Sequence, residues 1–153
     1  MAKIEIFTDG ASRGNPGPGG YGVVLKSGNH YKELSEGFRL TTNNRMELLA
    51  VIKALEALKQ PNNDVVIYSD SKYVVDAVEK GWVFDWAEKG FKGKKNADLW
   101  QRFLELYPQQ NIRFVWVKGH AGHPENERCD RLAVQAATGS SLKIDSEFEK
   151  NEN

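Results

Sequence analysis

The amino-acid sequence predicts an α/β domain in which a five-stranded mixed sheet is flanked by helices on both faces. Three observations lead to this fold class. Strand-like stretches predominate in the first 40 residues, and later strand-like stretches alternate with helical ones. A length of 153 residues suits one domain that buries most of the surface exposed in its unfolded chain. We place the domain at residues 1–139 and a polar, acidic tail at residues 140–153. The polarity of this tail suggests that it is loose, while Leu142, Ile144 or Phe148 could dock it on the domain.

The predicted elements follow one another without internal repeats. In chain order they are strands at 3–8, 21–26 and 31–40, a helix at 45–59, a strand at 64–69, helices at 71–80 and 97–107, a strand at 112–116 and a helix at 124–137. The stretch from 82 to 96 is predicted to be irregular or broken helix.

Each strand is indicated by its apolar pattern and by the turn that follows it. Within residues 3–8, two isoleucines alternate with Glu5 and Phe7, and we predict that this strand ends in a turn at Asp9 and Gly10. Ser-Gly-Asn at 27–29 joins the next two strands in a pattern typical of a hairpin. The nearly continuous apolar run at 64–69 indicates a strand that is buried on both faces.

The helices are indicated by good helix formers and by the residues that stop or start them. The first helical stretch is rich in Leu, Ala and Glu and is stopped by Pro61. The next helix ends at Gly81, and the one after it ends before Pro108. Pro124 opens the last helix, since proline suits the first helical position.

Composition narrows the functional class. The sequence is 40% hydrophobic and 27% charged, which is ordinary for a globular protein, and no apolar run approaches the roughly 18 residues that span a bilayer. The N-terminus reads as a strand rather than a signal peptide. Cys129 is the single cysteine, which excludes an internal disulfide and suits a reducing compartment. We therefore expect a cytoplasmic monomer with no membrane partner.

Charge is balanced overall but unevenly distributed. The 21 acidic and 21 basic residues cancel, whereas nucleic-acid-binding proteins are usually basic. Residues 89–95, however, carry four lysines and no acidic residue, while residues 145–153 are acidic. Without that acidic end the domain is slightly basic, so nucleic-acid binding stays open.

Four carboxylates stand where a metal site could form. Asp9 and Asp70 close two predicted strands, and open α/β sheets bind ligands at such ends. Glu47 lies at the edge of its helix's apolar stripe, where a carboxylate is costly unless it is paired or bound to a cation. Asp130 shares a face of the last helix with small residues that would let the helix approach the sheet. Clustered carboxylates suit hard cations.

Each of these acids also has an ordinary interpretation. Asp9 would be a turn initiator, and Asp70 would be the N-cap of the following helix. Glu47 would complete a capping box that begins at Asn44. Asp130 would be a solvated helix residue. A shared site is favoured because three of the four come from strand ends or helix starts.

Four motifs resemble the type 1 ribonucleases H, the bacterial type, over nearly the whole chain. They are Phe7–Ala11 followed by Gly14–Gly20, Thr41–Leu48, Tyr68–Val74 and Trp116–Asp130. Four long motifs in the family's order are far more specific than any one of them. The resemblance implies a ribonuclease H-like fold and an endonuclease that hydrolyses the RNA strand of RNA–DNA hybrids, leaving 5′-phosphate and 3′-hydroxyl ends.

The resemblance also implies a catalytic centre. Asp9, Glu47, Asp70 and Asp130 would hold two divalent ions, Mg2+ with Mn2+ as a substitute, that clamp the scissile phosphate. His120 stands in a glycine-flanked loop and matches the family histidine that assists proton transfer or product release.

Two sets of substrate contacts follow from the same resemblance. Backbone groups near Gly10 and Ala11 and the amides of Asn15 and Asn44 would lie along the minor groove, where the 2′-hydroxyl distinguishes RNA from DNA. The segment from Trp82 to Lys95 resembles a basic protrusion of the family that would touch the DNA backbone, and we expect its aromatic residues to be mainly structural. The remaining predicted contacts are Thr42 and Asn43, which resemble a pocket for a DNA-strand phosphate, and Lys72, Trp82, Lys89, Lys92, Lys94 and Lys95.

The sequence departs from the family pattern near the substrate. Leu40 stands where many relatives carry an arginine, and Arg39 is one place away. Lys72 replaces a frequent glutamine, and the protrusion contains Asp85 and Glu88. Because the four acids are untouched, we expect weak hybrid binding with intact chemistry.

Three other functions fit part of the pattern. A junction resolvase or integrase-like enzyme on the same fold would lack the setting of Asn15, Asn44 and His120. A hybrid-binding module without catalysis would be expected to have lost an acid, and all four are present. A phosphatase with a nucleophilic aspartate would give no reason for the basic protrusion.

Overall fold

The computed structural model of the protein describes residues 3–119 and 123–152. Its elements are β1 (Lys3–Ser12), β2 (Gly17–Ser27), β3 (His30–Thr41), α1 (Asn43–Glu56), β4 (Asp64–Ser69), α2 (Lys72–Glu79), α3 (Trp82–Glu88), α4 (Ala97–Leu106), a 3-10 turn (Tyr107–Gln109), β5 (Asn111–Trp116), α5 (Pro124–Ala137) and α6 (Ser146–Glu152). Among the helices described, none is long and apolar enough to cross a membrane.

The five strands form one mixed sheet in the order β3-β2-β1-β4-β5. The β2 strand is antiparallel to both β1 and β3, while β4 is parallel to both β1 and β5. Ile6 faces Ile67 in the β1–β4 register, and Phe7 faces Tyr68. Parallel pairing brings the carboxyl ends of β1, β4 and β5 to one edge of the sheet, where we predicted the acids to meet.

Helices cover both faces of the sheet, as the sequence predicted. Successive strand residues point to opposite faces, so Ile6 packs in the larger core with Ile52 of α1. Phe7 packs on the other face with Cys129 and Leu132 of α5. Burial on both sides explains why β4 is nearly continuous in apolar residues.

The α5 helix lies unusually close to β2 and β3 because glycines face it. A Cβ atom on Gly22 would lie 2.2 Å from the carbonyl oxygen of Cys129, and one on Gly37 would lie 2.0 Å from that of Ala136. On the helix side, Ala133 is fully buried. This close contact fixes the height of α5, and therefore of Asp130, above the sheet.

The expectation of a loose C-terminal tail is wrong. Lys143 pairs with β3 through its backbone: its N–H donates to the Gly37 carbonyl at 2.8 Å, and its carbonyl accepts from the Arg39 N–H at 2.9 Å. Asp145 is buried, and α6 follows it. Polar and ionic contacts hold the segment, which is why its low hydrophobicity was misleading. The domain boundary at residue 139 stays a prediction.

Replacing Gly22 with alanine should push α5 away from the sheet. Overpacking in a close interface costs about 1–3 kcal/mol, and here the new methyl group would meet backbone that cannot rotate aside. We expect Gly22→Ala to lower the free energy of unfolding by about 2 kcal/mol or more in urea. Gly139→Ala is the control, because a Cβ there would lie 3.4 Å from the Gln135 carbonyl oxygen. Equal stability of the two variants would contradict this account of the packing.

Candidate active site

Three of the four predicted acids meet at the carboxyl edge of the sheet. Asp9, Glu47 and Asp70 each offer one carboxylate oxygen, and these oxygens lie within 4.8 Å of one another. Asp9 is 3% exposed and Glu47 is 4% exposed, while Asp70 is half-buried. The cluster therefore opens to solvent on the Asp70 side.

Strand register explains how Asp9 and Asp70 become neighbours. Each lies two residues beyond the Phe7–Tyr68 pair on adjacent parallel strands. Asp9 does not initiate a turn, because β1 continues through Ser12 and pairs Asp9 with a residue of β2. The prediction that the strand ends at residue 8 is therefore wrong.

The ordinary interpretation of Asp70 as a helix cap is also wrong. Ser71 is the N-cap of α2, and its hydroxyl oxygen accepts a hydrogen bond from the Val74 N–H at 3.2 Å. The carboxylate of Asp70 is thus not needed to start the helix. Its place at the end of β4, beside the other acids, needs another explanation.

Glu47 reaches the cluster because α1 passes directly against β1. A Cβ on Gly10 would lie 2.5 Å from the Glu47 backbone nitrogen, so this approach requires glycine. Thr42 is the N-cap of α1, and its side chain accepts from the Arg45 N–H at 3.2 Å. The capping box beginning at Asn44 is therefore wrong, and Glu47 is not a capping residue.

Burial and like charges make this cluster electrostatically unfavourable. Burial, followed by the charge of Asp70, raises the pKa of Asp9 to about 8, although the Gly10 N–H donates to Asp9 Oδ1 at 2.9 Å and opposes the shift. Burial and the charges of Asp9 and Asp70 raise the pKa of Glu47 well above its ordinary value.

The same residues fit a divalent metal ion. Within the described part of the chain, Glu47 Oε2 is buried without a hydrogen-bond partner. Buried oxygens that lack a partner are rare and costly, and carboxylate oxygens are the ligands that hard divalent cations prefer. A cation would also offset the repulsion among the three acids. The donor set therefore suits a hard divalent cation.

Asp130 lies beside this cluster rather than in its compact group. It is half-buried on α5, and its charge contributes to the raised pKa of Asp9. The cluster of oxygens within 4.8 Å includes only the other three acids among the described residues. The structure thus places Asp130 close enough to act on Asp9 electrostatically, from the opposite layer of the fold.

The prediction for His120 lies outside the described residues. Trp116, which ends β5 before that loop, contacts the sheet edge that carries the acids: its indole N–H donates to the Asp70 carbonyl at 3.2 Å. Lys72 lies over the Trp116 ring, with Nζ 4.6 Å from the centroid. Sequence reasoning missed this role of Trp116, although its position directly before the loop motif was a signal.

Most of the predicted substrate contacts line one continuous groove that includes the start of α1, the helix that carries Glu47. A cavity of about 460 Å³ and one of about 340 Å³ share Asn44, Lys94 and Lys95, and a third of about 350 Å³ continues past Lys94. We call this the lysine groove. Its predicted contact residues are Asn15, Thr42, Asn44, Trp82, Lys89, Lys92, Lys94 and Lys95.

Three other predicted contacts have different surroundings. Asn43 donates its backbone N–H to Asn15 Oδ1 at 3.1 Å, which fastens the glycine-rich loop to the start of α1. Gly10 is buried against α1, while Ala11 is half-buried. The tight packing at Gly10 shows that its small size serves the approach of α1.

The aromatic residues of the protrusion divide into two groups. Trp86 meets Trp100 edge-on with ring centroids 6.0 Å apart, and Phe91 is buried, so both are structural as expected. Trp82 is 44% exposed in the groove. Lys94 Nζ lies 4.9 Å from the centroid of the Trp86 ring, so the structural aromatic also positions a lysine.

Arg39 does not take the place of the arginine that is replaced by Leu40. Its guanidinium binds both carboxylate oxygens of Glu149, with distances of 2.7 Å from Nη2 and 2.9 Å from Nε. The residues that sequence reasoning missed are Arg45, Asp98 and Asp145, which form a buried ionic network beside the groove. No local sequence pattern predicts this network, because its members are far apart in the chain.

A carboxylate cluster that suits a divalent cation and a groove of exposed lysines are together typical of metal-dependent enzymes that act on nucleic acid. The sequence model of the RNase H family matches residues 1–138, so the chain belongs to the ribonuclease H family. This result confirms the resemblance seen in the four motifs.

Curated and structural relatives agree with this assignment. Ribonuclease H of Desulforamulus reducens is 57% identical over 150 residues, which cover 95% of this chain and 94% of the relative. The crystal structure of LC9-RNase H1, described as a type 1 RNase H with the type 2 active-site motif, has a TM-score of 0.81 at 35% identity, covering 98% of this chain and 80% of that one.

A further solved relative carries a bound nucleic acid. LC11-RNase H1, crystallised in complex with an RNA/DNA hybrid, is 28% identical with a TM-score of 0.63, and the match covers 88% of this chain and 96% of that one. Together these relatives confirm the predicted fold class and the enzyme class, a nuclease of the ribonuclease H type.

Neutralising Asp9 should stabilise the metal-free protein while abolishing its activity. Folding raises the pKa of Asp9 from 3.8 to about 8, so the ionised form is disfavoured in the folded state and stability should fall as the pH rises between these values. We expect Asp9→Asn to raise the free energy of unfolding at pH 8 by at least about 1.4 kcal/mol, the equivalent of one pKa unit.

The measurement is urea unfolding with chelator present at pH 5 and pH 8. Asn keeps an acceptor oxygen for the Gly10 N–H, so the substitution removes charge with little change of shape. Asp64→Asn, at an exposed carboxylate on β4, is the control and should have little effect. An Asp9→Asn protein no more stable than wild type at pH 8 would refute the electrostatic account.

Proposed function

We propose that this protein is an endonuclease that hydrolyses the RNA strand of RNA–DNA hybrids and leaves 5′-phosphate and 3′-hydroxyl ends. The observation that carries this proposal is the convergence of carboxylate oxygens of Asp9, Glu47 and Asp70 within 4.8 Å, together with a groove of exposed lysines that includes the start of α1, the helix that carries Glu47. Membership of the ribonuclease H family and a relative crystallised with an RNA/DNA hybrid support the substrate class.

The proposed cofactor is Mg2+, with Mn2+ as a substitute. Asp9, Glu47 and Asp70 would hold the metal, with Asp130 as a further ligand from α5. When bound, two such ions lower the pKa of the attacking water and stabilise the charge that develops on the leaving 3′ oxygen. The buried, partnerless oxygen of Glu47 is the feature of the structure that favours this cofactor.

The side chains around the acids orient them for this chemistry. The Gly10 N–H fixes one oxygen of Asp9, and the Trp116 indole holds the backbone of Asp70. Burial of Asp9 and Glu47 keeps bulk water from competing for their oxygens. We propose that His120 transfers protons or assists product release, as the resemblance to the family implies.

Substrate selection is proposed to combine minor-groove and phosphate contacts. Asn15 and Asn44 are exposed and would read the 2′-hydroxyls, together with backbone groups near Gly10 and Ala11. The Thr42 hydroxyl already accepts a hydrogen bond from Arg45, but its proton remains available for a DNA-strand phosphate. The remaining proposed contacts are Asn43, Lys72, Trp82, Lys89, Lys92, Lys94 and Lys95.

We also propose a cytoplasmic monomer. Cys129 is buried with its thiol near the Phe7 carbonyl oxygen, at 3.1 Å, an arrangement that suits a reducing compartment. Gel filtration with light scattering would test the oligomeric state.

Cleavage of labelled nucleic acids tests the proposed function directly. RNA–DNA hybrid, double-stranded RNA and double-stranded DNA are incubated with magnesium, with manganese and with chelator, alongside Asp70→Asn. We expect metal-dependent cleavage of the RNA strand of the hybrid only, and a loss of at least about 100-fold in Asp70→Asn. Tight hybrid binding without cleavage would instead identify a binding module and refute catalysis.

Removing lysines from the groove should weaken the salt dependence of hybrid binding. Each lost phosphate contact lowers the slope of log K against log salt by roughly 0.7–0.9. We expect such a reduction for Lys92→Ala and for Lys94→Ala when binding is measured with chelator in place of metal. Lys32→Ala, an exposed lysine at the far end of β3, is the control. An unchanged slope in both groove variants would remove the protrusion from the contact set.

A further inference from the structure

A buried arginine stands behind the lysine groove. Arg45 is 4% exposed, and each of its five guanidinium N–H groups has an acceptor. It donates to Asp145 from Nε at 2.8 Å and from Nη2 at 2.9 Å, and to Asp98 from Nη1 at 2.9 Å and from Nη2 at 2.7 Å. The fifth bond runs from Nη1 to Asn96 Oδ1 at 3.3 Å.

These acceptors join three separate segments of the chain. Arg45 lies in the first turn of α1, directly after Asn44. Asn96 and Asp98 lie at the start of α4, directly after the last lysines of the groove. Asp145 lies just before α6. One guanidinium therefore sets the spacing between the α1 side and the lysine side of the groove, and the C-terminal segment completes its binding.

The C-terminal segment also forms a wall of the groove itself. The cavity of about 460 Å³ that contains Thr42, Asn44 and Lys95 is closed on its other side by Phe148 and Asn151, together with Glu147. The carboxylate of Glu147 would repel a phosphate at that wall. The geometry of α6 therefore suits positioning of the groove rather than direct binding of the substrate backbone.

The segment is anchored where positioning would matter most. Asp145 Oδ2 accepts from the Thr41 hydroxyl at 2.7 Å, immediately before Thr42. The Phe148 ring centroid lies 5.9 Å from the Arg45 guanidinium carbon. A buried arginine that loses one of its carboxylates is left with an uncompensated charge, so this network is sensitive to Asp145.

From these contacts we infer that Asp145 is a positioning residue for the RNA–DNA hybrid, acting through Arg45 to hold the start of α1 and the lysine side of the groove at the spacing that phosphate contact requires. The inference rests on the proposed function. It makes the C-terminal segment, which lies beyond the family match at residues 1–138, a part of the substrate-binding site.

The experiment measures KM and kcat for hybrid cleavage together with the free energy of unfolding. We expect Asp145→Ala to raise KM about fivefold or more while kcat stays within about twofold, since the described hydrogen bonds of Arg45 go to Asp145, Asp98 and Asn96 and to none of the proposed catalytic acids. Asp145→Asn keeps one acceptor oxygen, and its KM should lie between those of Asp145→Ala and the wild type. If Asp145→Ala does not fold, the KM of Asp145→Asn alone tests the inference.

Two controls separate positioning from stability. Glu33→Ala removes a carboxylate that binds Arg128 with distances of 2.7 and 2.9 Å, away from the groove, and it should leave KM unchanged. Val65→Ala removes buried volume from β4 and should lower stability without raising KM.

The outcomes distinguish the inference from the proposed function. Unchanged KM in both Asp145 variants, or an equal rise of KM in Val65→Ala at equal loss of stability, would overturn the positioning role while leaving the nuclease activity established. No hybrid cleavage by the wild-type protein would overturn the proposed function and the inference with it.

Discussion

The crowding of carboxylates at one sheet edge is the constraint on which the rest of the structure depends. One carboxylate oxygen from each of three acids lies within 4.8 Å of the others, and two of the acids are almost fully buried. Such an arrangement opposes folding, because burial and like charge both disfavour the ionised forms. Packing and strand pairing must therefore hold the acids together. The β1–β4 register places Asp9 next to Asp70, and the close approach of α1 to Gly10 places Glu47 beside them.

The distribution of charge reconciles a neutral chain with nucleic-acid binding. The acids of the site are buried or half-buried, whereas the lysines of the groove are exposed. A substrate approaching the groove meets the lysines first, and a bound cation would offset the charge of the acids. Net charge is a poor guide here because it gives equal weight to groups that a phosphate backbone reaches and groups that it does not.

Arg45 shows a second way of burying charge. The acid cluster has like charges and a raised pKa at Asp9, while Arg45 is matched by two carboxylates and an amide. The hydrogen-bond donors of buried Arg45 are therefore all satisfied by protein groups, which is typical of a structural network. The buried oxygen of Glu47 that lacks a hydrogen-bond partner is instead typical of a binding site. Both networks involve the first two turns of α1, one through Arg45 and the other through Glu47.

The sequence by itself determined the fold class, the buried strand at 64–69 and the helix from Pro124, and it predicted four candidate acids, of which Asp9, Glu47 and Asp70 meet in the structure. Those features depend on local patterns or on long motifs. Only the tertiary structure decided that β1 runs past Asp9, that Thr42 and Ser71 cap the helices, and that the acidic C-terminal segment docks. The physical reason is range: Asp145 meets Arg45 across 100 residues of chain, and no local pattern encodes such a contact.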